Sequence, residues 1–531
     1  MRRCLFLVFV LVAVFSFQIP GLSAAYAADI DPGETIVYSH AGNVGPLNPH
    51  MYSPNQMFAQ EMVYDPLVKL NPDGTIGPAL AERWTISEDG KIYFFYLRQD
   101  VVFSDGSSFD AYAVVKNFEA IMKNEKRHRW LGIIDKIDGF EAAAPFEFKL
   151  KLKTPYYPCL EDLALARPFR FLSPAAFPED GDTSQSIKAP HGTGAWKLTE
   201  TALGEYDLFE RNEHYWGEKP KAAKILVKVI PDPVSRALAF DSGEIDIIYG
   251  QGQINFDTFN RLKNSAGVSA AVSKPMGTMV AAINSAAGPT RELEVRQALQ
   301  HMVDKKALVM GVTLGTLSQA DTLFAPNVPY CDLGLPPYEF NIDKAGELLD
   351  NCGWKLVQGK RIREKNGEPL NIDFCFIGND AAHKSIAEVL QAQAQAAGIN
   401  LNLLGEESDS FYRRQKEGDF GLILNPTWGP PYEPHAMVSS MLLPSHADFM
   451  AQSGLPMKAG IDEKIHKVLA CQDLKERSDL YREILATLHE QAVYLPLFYS
   501  ALFEVHRPDR LGNVSFGGGK TDIPFREFVL E

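Results

Sequence analysis

From Leu5 to Phe17 the chain is an almost unbroken apolar run, preceded by Arg2 and Arg3 and followed by Ala25-Tyr26-Ala27. A cationic start, a short apolar stretch and a small-x-small exit predict a secretory signal over residues 1–27, cut before Ala28. The run is shorter than the ~20 residues of a membrane span. Cys4 precedes it and so does not mark a lipid-modified cleavage site. No later apolar stretch is long enough to cross a bilayer, so the mature chain is expected to be exported and soluble.

After the signal the pattern changes to short periods. Thr35–Tyr38, Ile92–Leu97 and Phe146–Leu152 read as strands, with turns at Asn71-Pro72-Asp73-Gly74, Ser87-Glu88-Asp89-Gly90 and Ser104-Asp105-Gly106. Asp110 caps a helix to about Met122, with Ala111, Val114, Val115, Phe118 and Ile121 on one face. Leu160–Leu165 reads as helical. Ala223–Ile230, Ser235–Ser242 and Ile245–Tyr249 form a compact strand-helix-strand unit.

Beyond it strands and helices alternate. Met279–Ile283 is a strand, Leu293–Val309 an amphipathic helix and Asn341–Asn351 a second helix. Strand Leu370–Ile377, helix His383–Ala396 and strands Leu401–Leu404 and Phe420–Leu424 follow. Helix Ser478–Glu490 and strand Val493–Val505 close the pattern. This alternation predicts an α/β fold around a parallel-rich sheet. Two crossings, near 278–284 and 494–505, divide the chain into lobe I over 28–276, with an extra subdomain about 70–200, lobe II over 277–500, and a return to lobe I over 501–531. A ligand is expected between the lobes, with the crossings as hinges.

Charge narrows the partners. The formal net charge is −15, and removing Arg2 and Arg3 with the signal makes it −17. An acidic surface disfavours nucleic acid and anionic membranes. Five cysteines follow the signal, Cys159, Cys331, Cys352, Cys375 and Cys471, none in a C-x-x-C spacing. A thiolate metal site is therefore not expected, and Cys331–Cys352 is the disulfide to look for in an oxidising compartment.

Against this acidic background, three stretches place arginine or histidine beside aromatic rings: Arg127-His128-Arg129-Trp130, Arg167-Pro168-Phe169-Arg170-Phe171, and Trp428-Gly429-Pro430-Pro431-Tyr432 with His446 downstream. Guanidinium pairs with carboxylate and aromatic faces bury apolar atoms, so these stretches suit a compact acid-bearing ligand. Catalytic signatures are missing. There is no G-x-S-x-G elbow and no cysteine with an evident histidine partner. Gly518-Gly519-Lys520-Thr521 imitates the end of a phosphate loop, but Val514 stands where its first glycine belongs. The expectation is a binding protein and not an enzyme. His50 and His128 read as structural, and His435 as a loop residue.

Pro78-Ala79-Leu80-Ala81-Glu82-Arg83-Trp84, Asp89-Gly90-Lys91, Leu97-Arg98, Phe103-Ser104-Asp105-Gly106, Gly192-Thr193-Gly194-Ala195-Trp196 and Arg211-Asn212-Glu213-His214-Tyr215-Trp216-Gly217 resemble the signature of family 5 solute-binding proteins. These are extracytoplasmic receptors of peptide and nickel ABC importers, and the likeness runs over essentially the whole mature chain. It implies a two-lobed periplasmic-binding-protein type II fold with an extra subdomain in the first lobe. Asn43–His50, Asn55–Gln60, Arg167–Phe171 and Trp428–Phe449 are similar to the nickel-binding branch. That likeness implies binding of nickel(II) as a complex with a small chelator such as free histidine. Its pocket residues carry over to Tyr52, Met57, Arg127, Trp130, Arg167, Trp428, Tyr432 and Thr521, with His446 as the metal ligand. Pro430 and Glu433 depart from the branch, where alanine and aspartate are expected.

The resemblance further implies a monomeric periplasmic receptor that delivers its ligand to an ABC permease served by a separate ATPase, with no catalytic cofactor. The carried-over residues make chemical sense. Nickel(II) favours imidazole and carboxylate, and the chain has no dense histidine tract to cage a bare ion. A chelator that fills most of the coordination sphere, with carboxylates on Arg127 and Arg167 and one imidazole from His446, meets that need. A di- or oligopeptide receptor is the alternative within the family, the same arginines then reading a terminal carboxylate. A secreted metallohydrolase is the alternative outside it.

Overall fold

A computed structural model describes residues 31–51 and 57–531. The expected signal and the expected contact Tyr52 lie outside the described residues. Among the described residues no helix is long and apolar enough to cross a membrane.

The first sheet has the order Thr35–His40, Lys224–Val229, Tyr206–Arg211, Trp196–Ala202. Its first pair is parallel, with Thr35 opposite Lys224, and the others are antiparallel. An antiparallel sheet follows, ordered Ala81–Ile86, Ile92–Leu97, Glu147–Leu152, Ile137–Ala144. In Ile92–Leu97 every second residue is buried, as the alternation predicts. Phe148 of this sheet meets Phe118 of the helix Ala111–Lys123 at 4.9 Å between ring centroids. Asp110 caps that helix, accepting from the Ala113 amide at 2.8 Å.

The second half is built on five strands, ordered Asn400–Glu406, Asn371–Ile377, Leu422–Leu424, Gly277–Ile283, Tyr494–Ser500. Gly277–Ile283 is buried at every position, which accounts for its run of apolar residues. The expected parallel-rich sheet is corrected to a mixed one. Asn371–Ile377 runs parallel to both neighbours, but Gly277–Ile283 is antiparallel to both of its own. The strands that carry the chain into and out of this half run oppositely, and so pair without a crossover helix.

The expected strand Val493–Val505 is interrupted. Tyr494–Ser500 pairs with Gly277–Ile283, whereas Phe503–His506 lies between Ile247–Gly250 and Ser269–Val272 in a separate three-stranded sheet. One segment thus serves two sheets, with its break at Ala501 and Leu502. The expected helix Leu293–Val309 is also two helices, Leu293–His301 and Lys305–Val312. Asp304 restarts it by accepting from the Ala307 amide at 2.8 Å. A short acid competes for backbone amides, so it caps better than it continues a helix.

The expected disulfide is corrected as well: all five described cysteines are free. Cys331 is buried in one apolar core, with its thiol on the Pro329 carbonyl at 3.3 Å, while Cys352 packs against another, with its thiol on the Leu349 carbonyl at 3.4 Å. Burial raises both thiols, Cys352 to about 11.

Candidate functional site

A cavity of about 750 Å³ is walled by residues from the start, the middle and the end of the chain. Met57 opens the helix Met57–Val63 and is buried on that wall. Trp130 follows the one-turn helix Glu125–His128, and Arg167 follows the helix Cys159–Leu163. The Arg167 guanidinium carbon lies 4.4 Å from the centroid of the Trp130 ring, a cation–π contact. Trp130 meets Tyr432 at 6.1 Å, Tyr432 meets Trp428 edge-on at 6.3 Å, and Trp428 meets His446 at 6.1 Å. Five side chains singled out in the sequence thus form one continuous run of contacts along the wall.

Thr521 also lines the cavity, donating to the Glu61 carboxylate at 2.6 Å. Arg127 does not join them. It is exposed on the helix Glu125–His128, outside the wall. That one-turn helix buries His128 and turns its neighbours Lys126, Arg127 and Arg129 outward.

His446 is the one imidazole on the wall among the described residues. Burial lowers its pKa below that of a free imidazole, against the opposing charge of Asp448. Its ring is therefore neutral at neutral pH, the form that can ligate a metal. Asp448 is held by Asn425 at 2.9 Å and by Ser440 and Tyr494 at 3.0 Å each. Among the described residues no group of three or more His, Cys, Asp or Glu side chains converges as a metal cage.

The sequence motifs assigned no pocket role to four charged wall residues, Arg170, Asp65, Glu61 and Lys520. Arg170 is buried, and its guanidinium donates to the carbonyls of Leu165 at 2.8 Å, Tyr64 at 2.9 Å and Ala164 at 3.3 Å, so it braces the wall. Asp65 accepts from Trp216 at 2.8 Å and Thr193 at 3.0 Å. Glu61 is raised to about 7 by burial and by the neighbouring Asp522, with Arg170 and the Thr521 hydrogen bond opposing. Lys520 donates to the Thr427 carbonyl at 3.0 Å, and burial lowers its pKa.

A signal for this last segment was present. Gly517, Gly518 and Gly519 are consecutive, and a Cβ on Gly517 would stand 2.4 Å from the Asp522 carbonyl oxygen. A glycine run marks close backbone approach, here along the cavity.

His50 and His128 are both buried and both lowered to about 4 by burial. His50 bonds Thr183 and Asn117 at 2.9 Å each. His435 is corrected from a loop residue: it begins the buried helix His435–Ser440 and pairs with Asp162 at 3.1 Å.

The model of the family "Bacterial extracellular solute-binding proteins, family 5 Middle" matches residues 75–449. This chain belongs to family 5 of the bacterial extracellular solute-binding proteins. As a family 5 protein it is 51% identical over 486 residues to the nickel-binding periplasmic protein of Escherichia coli K12, covering 91% of this chain and 92% of that one. It is also similar to the solved structure of NikA from Brucella suis in complex with Fe(III)-EDTA, at 51% identity and a TM-score of 0.91, with 94% of this chain and all of that one covered. The dipeptide-binding protein of E. coli K12 is more distant, at 24% identity over 509 residues, 91% of this chain and 92% of that one. The fold is the two-lobed α/β class of periplasmic binding proteins, as expected for a family 5 member.

Proposed function

We propose that this protein is the periplasmic receptor of a nickel ABC importer, and that it carries nickel(II) as a small-molecule chelate. The observation that carries the reading is the run Arg167–Trp130–Tyr432–Trp428–His446 on one cavity wall, a cation at one end and a neutral imidazole at the other. Arg167 pairs with chelator carboxylate. The three rings pack on the faces of the complex, Met57 lines the apolar side, and His446 completes the metal's coordination. Identity of 51% to a nickel-binding periplasmic protein and to a protein crystallised with a chelated metal supports the same choice.

On this reading the chain is exported by a cleaved signal and acts as a monomer. It closes its lobes on the chelate and presents the closed form to a permease driven by a separate ATPase. The lobes belong to the same proposal, divided at 277 and 500, with 501–531 returning to the first.

Titration of the mature protein with Ni²⁺, with and without excess L-histidine and followed by tryptophan fluorescence, tests it. Trp130 and Trp428 on the wall should report saturable binding with histidine present. A response to di- and tripeptides with none to nickel would favour the peptide receptor instead. Turnover of a peptide or ester would favour a hydrolase.

A further inference from the structure

We propose that Lys520 is a second cation that grips ligand carboxylate in this cavity, beside Arg167. The proposal rests on the chelate reading and deepens it: the ligand offers at least two carboxylates, one to each cation.

The other positive charges on the wall are committed or peripheral. Arg170 donates to three backbone carbonyls, Arg526 is tied to the Tyr215 hydroxyl at 3.1 Å and to Glu527 at 3.6 Å, and Lys69 is exposed. Lys520 is different. Its ammonium has three N–H donors, and the Thr427 carbonyl at 3.0 Å takes one. Among the described residues no carboxylate reaches it within ion-pair distance. Glu433 is the acid whose charge acts on it; its Oε1 accepts from the Gly429 amide at 2.7 Å, and its Oε2 is buried without a hydrogen bond, beyond ion-pair distance of the ammonium. A half-buried ammonium with donors to spare and no carboxylate within ion-pair distance, on a cavity wall, is a site for an anion.

The fold keeps a channel open for this side chain. A Cβ on Gly429 would stand 2.5 Å from the Lys520 Cε, and one on Gly277 2.9 Å from its Nζ. Thr427, which holds the ammonium, is itself fixed by the Thr278 amide at 2.8 Å. Lys520 therefore enters against the backbone at Thr427 and Gly429, the neighbours of Trp428, while Arg167 lies over Trp130, and both indoles touch Tyr432. Both cations line the cavity that holds these rings, an arrangement for a ligand that carries more than one anionic group.

The test compares wild type with Lys520→Met and Lys520→Arg by calorimetry. The probes are Ni²⁺ in excess L-histidine and Ni²⁺ in excess histamine, which has the same imidazole and amine but no carboxylate. Lys520→Met should weaken histidine-chelate binding about 10- to 100-fold, the range for losing one charge-assisted hydrogen bond, and leave the histamine chelate within about twofold. Lys520→Arg should recover most of the loss. Unchanged affinity for the histidine chelate in Lys520→Met, or equal loss with both probes, overturns the proposal, since equal loss means that Lys520 only props the wall. Should Lys520→Met fail to fold by circular dichroism, Lys520→Gln makes the same comparison. No binding of either probe by wild type sinks the chelate reading and this inference with it, whereas wild-type binding with an indifferent Lys520→Met sinks this inference alone.

Discussion

Arg167 and His446 stand at opposite ends of one aromatic run, and in the proposed complex each does what the other cannot. Guanidinium binds carboxylate through paired N–H donors but has no lone pair for a metal; a neutral imidazole has the lone pair and no charge. Arg167→Ala should cost chelate binding about 1.5–3 kcal/mol, the worth of a hydrogen bond to a charged group, read as a rise in Kd by calorimetry. His446→Ala should weaken the nickel chelate more than the metal-free chelator; equal weakening of both would mean that the ring does not touch the metal. The same ring sets the pH response. A proton competes with the metal for the nitrogen, and burial has lowered the pKa below 6.5. Affinity should therefore hold as pH falls to 6.5 and decline only below it, checked by titrations at pH 7.5, 6.5 and 5.5.

At the scale of the element, the segment from Thr427 to the helix His435–Ser440 supplies Trp428 and Tyr432 to the wall. Gly429 makes its shape possible. Its φ is +79°, and a Cβ there would stand 2.1 Å from the Met276 carbonyl oxygen. Gly429→Ala should cost about 1–3 kcal/mol from left-handed backbone and steric conflict, and should weaken chelate binding by moving both rings. Thermal melting and the fluorescence titration together check this, and an unshifted melt with normal binding would show that the segment tolerates a side chain. Glu433, a departure from the nickel-binding branch in sequence, is absorbed here: it is buried, accepts from the Gly429 amide at 2.7 Å, and so closes the turn from within.

For the whole molecule, Glu61 and Thr521 join the beginning of the chain to its end. Glu61 sits near pKa 7 in the folded state against an ordinary 4.5. Between those values the folded chain keeps a proton that the unfolded chain releases, so this group's contribution to stability is lost as pH rises from 4.5 through 7. Glu61→Gln removes that dependence. Its stability relative to wild type should improve by roughly 2–3 kcal/mol from pH 5 to pH 8, at 1.36 kcal/mol per pKa unit, measured by urea unfolding at both. A constant difference would mean that Glu61 titrates normally in the folded protein. Farther along the molecule, the hydroxyl pair Tyr157–Tyr481 at 2.6 Å and the pair Asp162–His435 tie elements about 300 residues apart, and such ties have no trace in local pattern.

Features that depend only on neighbours along the chain were legible in the order of the amino acids. The alternation in Ile92–Leu97, the Asp110 cap and the apolar run Met279–Ile283 all appear where the pattern puts them, because period and capping are local. Family motifs carried the fold and most of the wall: Met57, Trp130, Arg167, Trp428, Tyr432, His446 and Thr521 line one cavity. Tertiary structure alone decided strand direction, the break at Ala501 and Leu502, and the separation of Cys331 from Cys352, since each depends on where distant segments meet. It also decided which cations face inward. Arg127 and Lys520 are alike as charges in a sequence, but a one-turn helix turns the first to solvent, and a glycine-lined channel brings the second to the wall.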